Sequence, residues 1–152
     1  MDKKIKKFNI RIYGIVMEDD MILLTDEFRM GIKMTKFPGG GLEFGEGARD
    51  CLKREFLEEI NQEVQVKEHF YTTDYFQPTF LLSKPQQLMS IYYLVKVPYP
   101  EKITTSVKEF DFTYLKEGEQ TFRWVKIEKT NPEKLTFPID RLVFKKIKEA
   151  FS

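Results

Sequence analysis

Three glutamates, Glu55, Glu58 and Glu59, are spaced at i, i+3 and i+4 directly after the densest cluster of glycines in the chain. Side chains at these spacings are neighbours on a helix, and like charges there weaken the helix unless something binds between them. Carboxylates are hard oxygen ligands that suit Mg²⁺ or Mn²⁺, whereas one histidine and one cysteine leave few ligands for zinc. The spacing therefore indicates a site for a hard divalent cation, with Mg²⁺ as the expected cofactor and Mn²⁺ as its substitute.

Five of the eight glycines fall between Gly39 and Gly47. Glycine lets a backbone approach an ion or an anion more closely than a side chain would allow. Mg²⁺ that is held by a few carboxylates keeps open positions for waters and substrate phosphates. The spacings of the G-x-G-x-x-G fingerprint, the P-loop and the EF-hand are all absent. Phosphate chemistry beside a divalent cation is therefore the hypothesis that these residues favour.

The segment 48–60 contains no glycine or proline, so it predicts the helix that carries the three acids. At about 100° per residue its apolar side chains form one stripe, which consists of Ala48, Leu52, Phe56 and Ile60. Glu55 and Glu59 border this stripe, and Glu58 lies further round the helix. A solvated face explains the neighbouring charges of Arg49, Asp50 and Lys53, but it does not explain acids beside a buried stripe. We therefore expect Glu55 and Glu59 to face the protein.

Apolar runs elsewhere predict six strands, at 8–16, 21–24, 34–37, 64–71, 88–97 and 121–127. The first two strands are predicted to form a hairpin, and Asp26–Lys33 and Pro98–Glu119 are predicted to be polar connections. Pro138 suits the first turn of a second helix, which is amphipathic and closes the chain. The pattern predicts a single domain over residues 1–152, of the α/β class, with a mixed sheet covered by helices.

The composition restricts the partners of the chain. With 152 residues and a formal net charge of +1, it has no large field to attract polyanions, so nucleic-acid binding is not expected. No stretch approaches the roughly 20 apolar residues of a membrane span, so no membrane partner is expected either. Cys51 is the only cysteine, which fits a reducing compartment. We expect a cytoplasmic protein.

The same residues carry a resemblance to a known family. Gly40 is followed after five residues by Glu46 and, after seven more, by the run Arg54-Glu55-Phe56-Leu57-Glu58-Glu59. This arrangement resembles the motif of the Nudix hydrolases, the MutT-like family. Asn61 stands where the family has glycine and Gln62 stands where it has an aliphatic residue, but neither change removes an acid.

The resemblance implies a Nudix-type α/β/α sandwich in which the motif forms a loop–helix–loop. It also implies Mg²⁺-dependent hydrolysis of a diphosphate linkage in a nucleotide or a nucleoside-diphosphate-linked small molecule. The implied ligands of the ion are the Gly40 carbonyl and three carboxylates, those of Glu55, Glu58 and Glu59. Arg54 and Glu46 are implied to brace the loop and orient these ligands. Homodimers are common in such families, so a homodimer is a further expectation.

The catalytic base and the substrate contacts are less firmly assigned. A loop carboxylate outside the motif, Glu117 or Glu119, is a candidate base, with Glu119 preferred; Glu55 or Glu58 within the motif is the other candidate. Phe37, Gly39, Gly40 and Gly41 are expected to contact the substrate. Aromatic residues that could stack on a base are Phe70, Tyr71, Tyr75, Phe76 and Phe80. Two rival functions stay open: a domain that senses a nucleotide sugar without cleaving it, and a purely structural domain.

Overall fold

The computed structural model describes residues 5–79 and 82–151. The strands are β1 (Phe8–Ile15), β2 (Met17–Glu18), β3 (Met21–Arg29), β4 (Ile32–Lys36), β5 (Gly39–Gly41), β6 (Gln65–Thr72), β7 (Gln87–Lys96) and β8 (Gln120–Lys126). The helices are α1 (Ala48–Ile60) and α2 (Pro138–Phe151), with two single 3₁₀ turns at Pro100–Lys102 and Pro132–Lys134. No helix in these ranges is long and apolar enough to cross a membrane.

The strands form two sheets of four. In one sheet the order is β5-β1-β7-β6, and β1 is parallel to β7 but antiparallel to β5, so this sheet is mixed. Its register places Arg11 of β1 opposite both Gly41 and Ser90. In the other sheet β3 pairs with β2, β4 and β8, all antiparallel. The glycine loop is thus fixed to a central strand through β5.

Successive residues of β1 and β3 point to opposite sides of the sheets, and each side is covered by one helix. Ile12 and Leu23 pack with α1, whereas their neighbours Tyr13 and Leu24 pack with α2. The predicted α/β class, with a mixed sheet between two helices and an amphipathic C-terminal helix, is confirmed. Cys51, on the inner face of α1, is buried in the core. Burial raises the pKa of its thiol to about 12.

Two predictions about the strands are wrong. β1 does not form a hairpin with β3, because β1 lies between β5 and β7 in the other sheet; β2 pairs with the start of β3, and the Leu23 N–H donates to the Val16 carbonyl at 2.9 Å. Asp26–Lys33 is not a polar loop, because β3 continues to Arg29 and β4 begins at Ile32. The polar side chain of Asp26 is fully buried there and is satisfied by Arg123.

α1 begins and ends where the sequence predicts. Its last turn is closed by Asn61, which adopts a left-handed conformation with φ of 56° and donates its backbone N–H to the Leu57 carbonyl at 3.0 Å. Asparagine tolerates this conformation better than most residues, so it replaces the usual glycine without loss of the cap. The helix that carries the acids is therefore complete.

Candidate active site

The helix α1 turns two of its three acids toward the protein. The side chain of Glu55 is only 15% exposed, whereas that of Glu58 is 59% exposed. Glu59 is partly buried, and its Oε2 atom is buried with no hydrogen-bond partner among the described residues. Glu55 and Glu59 therefore face the protein, as the helical spacing predicts.

The glycine loop brings bare backbone against these acids. A Cβ atom on Gly40 would lie 2.3 Å from Oε1 of Glu55, so any other residue would displace that carboxylate. Gly39 has φ of 147°, and a Cβ atom there would lie 2.1 Å from the Ile12 carbonyl oxygen. The close approach of β5 to α1 and β1 thus requires glycine at both positions.

Arg54 links the loop to the helix. Its Nε and Nη2 atoms donate to the two oxygens of Glu46 at 3.0 and 2.8 Å, and Nη2 also donates to the Gly41 carbonyl at 3.1 Å. Its Nη1 atom donates to Glu55 at 3.0 Å and lies 3.5 Å from Glu58. The Arg54 hydrogen bonds lower the pKa of Glu46 to about 2. One guanidinium therefore fixes the loop and holds two of the three motif acids.

The residues fit a hard divalent cation, although no three acidic, histidine or cysteine side chains within residues 5–79 and 82–151 already converge on one point. Burial raises the pKa of Glu59 to about 7, and its Oε2 atom has no hydrogen-bond partner among the described residues. An orphaned buried carboxylate oxygen is costly unless a cation or a donor meets it. The Glu55 carboxylate packs directly against the bare backbone of Gly40. An oxygen donor set with these properties suits Mg²⁺.

A cavity of about 380 Å³ opens beside the acids. Its lining from the motif consists of Gly39, Gly40, Gly41, Glu55 and Glu59. The opposite parts of its wall come from strands and from the start of α2. A cavity of this size is in the range of small-molecule sites. The carboxylates of Glu55 and Glu59 thus line a space that can hold a ligand.

Comparison with known proteins decides the family. A family model described as the NUDIX domain matches residues 7–146, which is nearly the whole chain. The chain belongs to the Nudix family. A search of curated protein sequences gives no match.

Solved structures share the Nudix fold with this chain at low sequence identity. A MutT protein from Methanosarcina mazei is 19% identical, with 95% of this chain and 96% of that chain covered and a TM-score of 0.64. A Nudix hydrolase from Nitrosomonas europaea is 18% identical, with 95% and 90% covered and a TM-score of 0.64. An ADP-ribose pyrophosphatase from Streptococcus suis is 12% identical, with 93% and 90% covered and a TM-score of 0.58. At these identities the likeness shows the fold.

Four residues of this Nudix site are absent from the sequence-based assignment. Arg11 of β1, Lys36 of β4, Tyr92 of β7 and Asp140 of α2 all line the cavity. The alternation in β1 separates Arg11 from Ile10 and Ile12, so its opposite orientation is readable from the sequence. Nothing local indicates that β4, β7 and α2 meet at the same cavity, because their meeting depends on the pairing of the strands.

Four of the predicted site residues do not line the cavity: Phe37, Arg54, Glu58 and Glu119. Phe37 is fully buried and packs edge-on against Tyr92 at 5.5 Å, so it is a core residue in this structure. Glu119 is not part of the cavity lining; its carbonyl accepts a hydrogen bond from the Phe28 N–H. Glu117 accepts hydrogen bonds from the backbone of the β3–β4 turn, at Met30 and Gly31. The loop thus uses both glutamates to attach itself to β3 and its turn.

The candidate stacking residues lie elsewhere as well. Phe70 stacks on Phe151, and Tyr71 packs against Tyr92. Tyr75 and Phe76 are exposed and do not line the cavity. Phe80 lies outside the described residues.

Asp140 makes the stability of the protein depend on pH. Its carboxyl group is buried, accepts a short hydrogen bond from the Tyr92 hydroxyl, and has an Oδ2 atom without a hydrogen-bond partner in the described part of the chain. Burial raises its pKa from 3.8 to about 6. The folded state therefore holds the proton more tightly than the unfolded state does. The protonated Asp140 contributes fully to the free energy of unfolding below pH 4, and this contribution is lost as the pH rises through 6.

We expect Asp140→Asn to remove this dependence. Relative to the wild type, the variant should gain about 3 kcal/mol in free energy of unfolding between pH 4 and pH 7.5, since one pKa unit corresponds to about 1.4 kcal/mol. Urea unfolding of both proteins at the two pH values measures this difference. Asp111→Asn, at an exposed position, is the control and should follow the wild type. The prediction would be wrong if the two proteins differed in free energy of unfolding by the same amount at both pH values.

Proposed function

We propose that this Nudix protein hydrolyses a diphosphate linkage in a nucleotide or a nucleoside-diphosphate-linked small molecule, with Mg²⁺ as its cofactor. The observation that carries the proposal is the buried, unpartnered Oε2 atom of Glu59, on a cavity that Glu55 and Gly40 also line. The family membership and the fold shared with an ADP-ribose pyrophosphatase support it. The cytoplasmic setting, the single-domain organisation and the homodimer stay predictions.

The proposed ligands of the ion are the Gly40 carbonyl and the carboxylates of Glu55, Glu58 and Glu59. A divalent ion in such a site neutralises phosphate oxygens and lowers the pKa of a bound water. Arg54 keeps Glu55 and Glu58 from repelling each other through its contacts to both. The protein's own contribution is therefore to hold the acids in place.

Within the motif, Glu55 and Glu58 differ in their suitability as a general base. Glu55 already accepts a hydrogen bond from Arg54 at 3.0 Å, so one of its oxygens is engaged. Glu58 is exposed, and its contact to Arg54 is longer, at 3.5 Å. We therefore favour Glu58 as the base over Glu55. Glu119 stays a candidate base, but the loop before β8 would have to move to bring it to the cavity.

The decisive experiment is a turnover screen. Nucleoside triphosphates and nucleoside-diphosphate conjugates are incubated with the protein and Mg²⁺, and the products are identified by mass. We expect cleavage at a diphosphate linkage that stops in the presence of a chelator. Binding of a compound without cleavage would favour a sensing domain instead, and the absence of both binding and metal-induced thermal stabilisation would favour a structural domain.

Gly40→Ala is expected to weaken the site through a steric effect alone. The added methyl group would lie 2.3 Å from Oε1 of Glu55, so the carboxylate must move. We expect turnover to fall by about 100-fold, because small displacements of a catalytic group have effects of this size. Gly47→Ala is the matched control, since Gly47 does not line the cavity and its methyl group would lie 3.8 Å from the nearest atom, in Asp50. Equal activity of the two variants would contradict the expected role of Gly40.

A further inference from the structure

The cavity wall carries an arginine, Arg11, that forms no ion pair with any described residue. Arg11 is partly buried, and its Nε atom donates to the Tyr13 hydroxyl at 3.1 Å. Among the described residues, no carboxylate oxygen lies within 4.0 Å of its nitrogens. A guanidinium has five N–H donors, and buried arginines are usually paired. The remaining donors of Arg11 are thus available to a ligand in the cavity.

A second cation lies on the same wall. The Lys36 side chain is only 6% exposed, and its Nζ atom lies 3.3 Å from Oε2 of Glu27. Glu27 also receives a hydrogen bond from Arg29 at 2.7 Å, so two cations share one carboxylate. An ammonium group has three donors and is strongly hydrated, so its burial with half a counter-charge is unfavourable. Among the described residues, the one carboxylate within 4.0 Å of Lys36 is therefore also engaged by Arg29.

Both cations lie near the ring of Tyr13. The Arg11 guanidinium carbon lies 5.7 Å from the centroid of the Tyr13 ring, and Nζ of Lys36 lies 5.3 Å from the same centroid. Both residues line the cavity that Glu55 and Glu59 also line. One cavity thus contains acids that suit a divalent cation and a separate cationic wall that suits an anion. Arginine matches the geometry of phosphate oxygens, and lysine binds phosphate as a point charge.

We propose that Arg11 and Lys36 form a phosphate subsite, which binds the phosphoryl group next to the one held at the carboxylates of α1. The inference rests on the proposed function, because a diphosphate linkage supplies two adjacent phosphoryl groups. The carboxylates would hold one of them through the ion, and Arg11 and Lys36 hold the other directly. This division explains why the chain keeps a partly buried arginine and a buried lysine in a cavity beside a cluster of acids.

Binding of inorganic diphosphate to the chelator-treated protein tests the subsite without the ion and without turnover. We expect isothermal titration at low ionic strength to show binding to the wild type. Arg11→Gln and Lys36→Met should each weaken it by about tenfold, the effect of losing one charge-assisted hydrogen bond. Lys33→Met is the matched control, because Lys33 is exposed on the same strand, β4. Arg11→Lys and Lys36→Arg should retain part of the affinity.

Three results would overturn the subsite: no binding of diphosphate to the wild type, unchanged binding to Arg11→Gln, or equal binding of citrate, whose charges are on carboxylates. If Lys36→Met does not fold, as shown by circular dichroism, Arg11→Gln decides alone. Failure of the proposed function is distinguishable, because it would show as no cleavage by a wild type that binds diphosphate through Arg11. Failure of the subsite alone would show as Mg²⁺-dependent cleavage with Arg11→Gln unaffected in both binding and KM.

Discussion

Glutamine in place of Glu59 is expected to lower Mg²⁺-dependent hydrolysis by roughly a hundredfold or more, the scale of losing one group that stabilises charge in a transition state. The substitution keeps the size of the side chain and removes the charge of the buried Oε2 atom. Steady-state turnover of the best substrate from the screen measures the effect. Mg²⁺ should also raise the melting temperature of the wild type more than that of the variant, because an ion that binds only the native state stabilises it.

Without Mg²⁺, Glu59→Gln should not lower the free energy of unfolding. Burial raises the pKa of Glu59 to about 7, so an ionised Glu59 destabilises the folded state at pH 8. Glu59→Gln should then be no less stable than the wild type when both are treated with a chelator. Glu63→Gln, at an exposed position just beyond α1, is the control and should leave activity and metal response unchanged. Full Mg²⁺-dependent turnover by Glu59→Gln would show that Glu59 is not a ligand of the ion.

The motif acids can be placed from the sequence because their geometry is local. A helix from Ala48 to Ile60 fixes the directions of Glu55 and Glu59 by spacing alone, and the structure has the same bounds. The start of α2 at Pro138 is equally local, because proline is favoured in the first turn. The glycine loop must pass close to Glu55, and its glycine content already indicates such a close approach.

The opposite wall of the cavity cannot be predicted in this way. Arg11, Lys36 and Asp140 come from three segments that meet only because β1 lies between β5 and β7 and because α2 covers that face. A single sequence does not specify which strands pair. Lys36 also looks like an ordinary surface lysine in a short strand, and nothing local shows that its Nζ atom lies 3.3 Å from Glu27 in the folded protein.

The same limit explains the error at Asp26. An acid in a run of polar residues indicates a loop, because a buried carboxylate without partners is unfavourable. Here the partners are distant in sequence: Arg123 donates from β8, and Thr35 donates from β4 at 2.7 Å. The backbone N–H of Phe110 also donates to Asp26, at 3.1 Å. Three segments therefore satisfy one carboxylate, and only the tertiary structure reveals them.

Arg123→Met is expected to lower the free energy of unfolding by about 3–5 kcal/mol, the usual cost of breaking a buried ion pair from one side. Arg123 is buried and Asp26 is fully buried, so solvent cannot replace the lost partner. Chemical denaturation measures the change. Lys126→Met is the matched control: Lys126 is on the same strand and pairs with Asp20 at 3.5 Å, but both side chains are exposed, so about 1 kcal/mol or less is expected.

A double-mutant cycle then separates the pair from the burial of each group. Asp26→Asn with Arg123→Met should cost clearly less than the sum of the two single changes, because the second substitution removes the charge that the first leaves buried. Asp26→Asn should also increase hydrogen exchange at the Phe110 amide more than Lys126→Met does, since that amide donates to Asp26. Additive single effects would show that the carboxylate and the guanidinium are stabilised independently, with Asp26 held chiefly by Thr35 and Phe110.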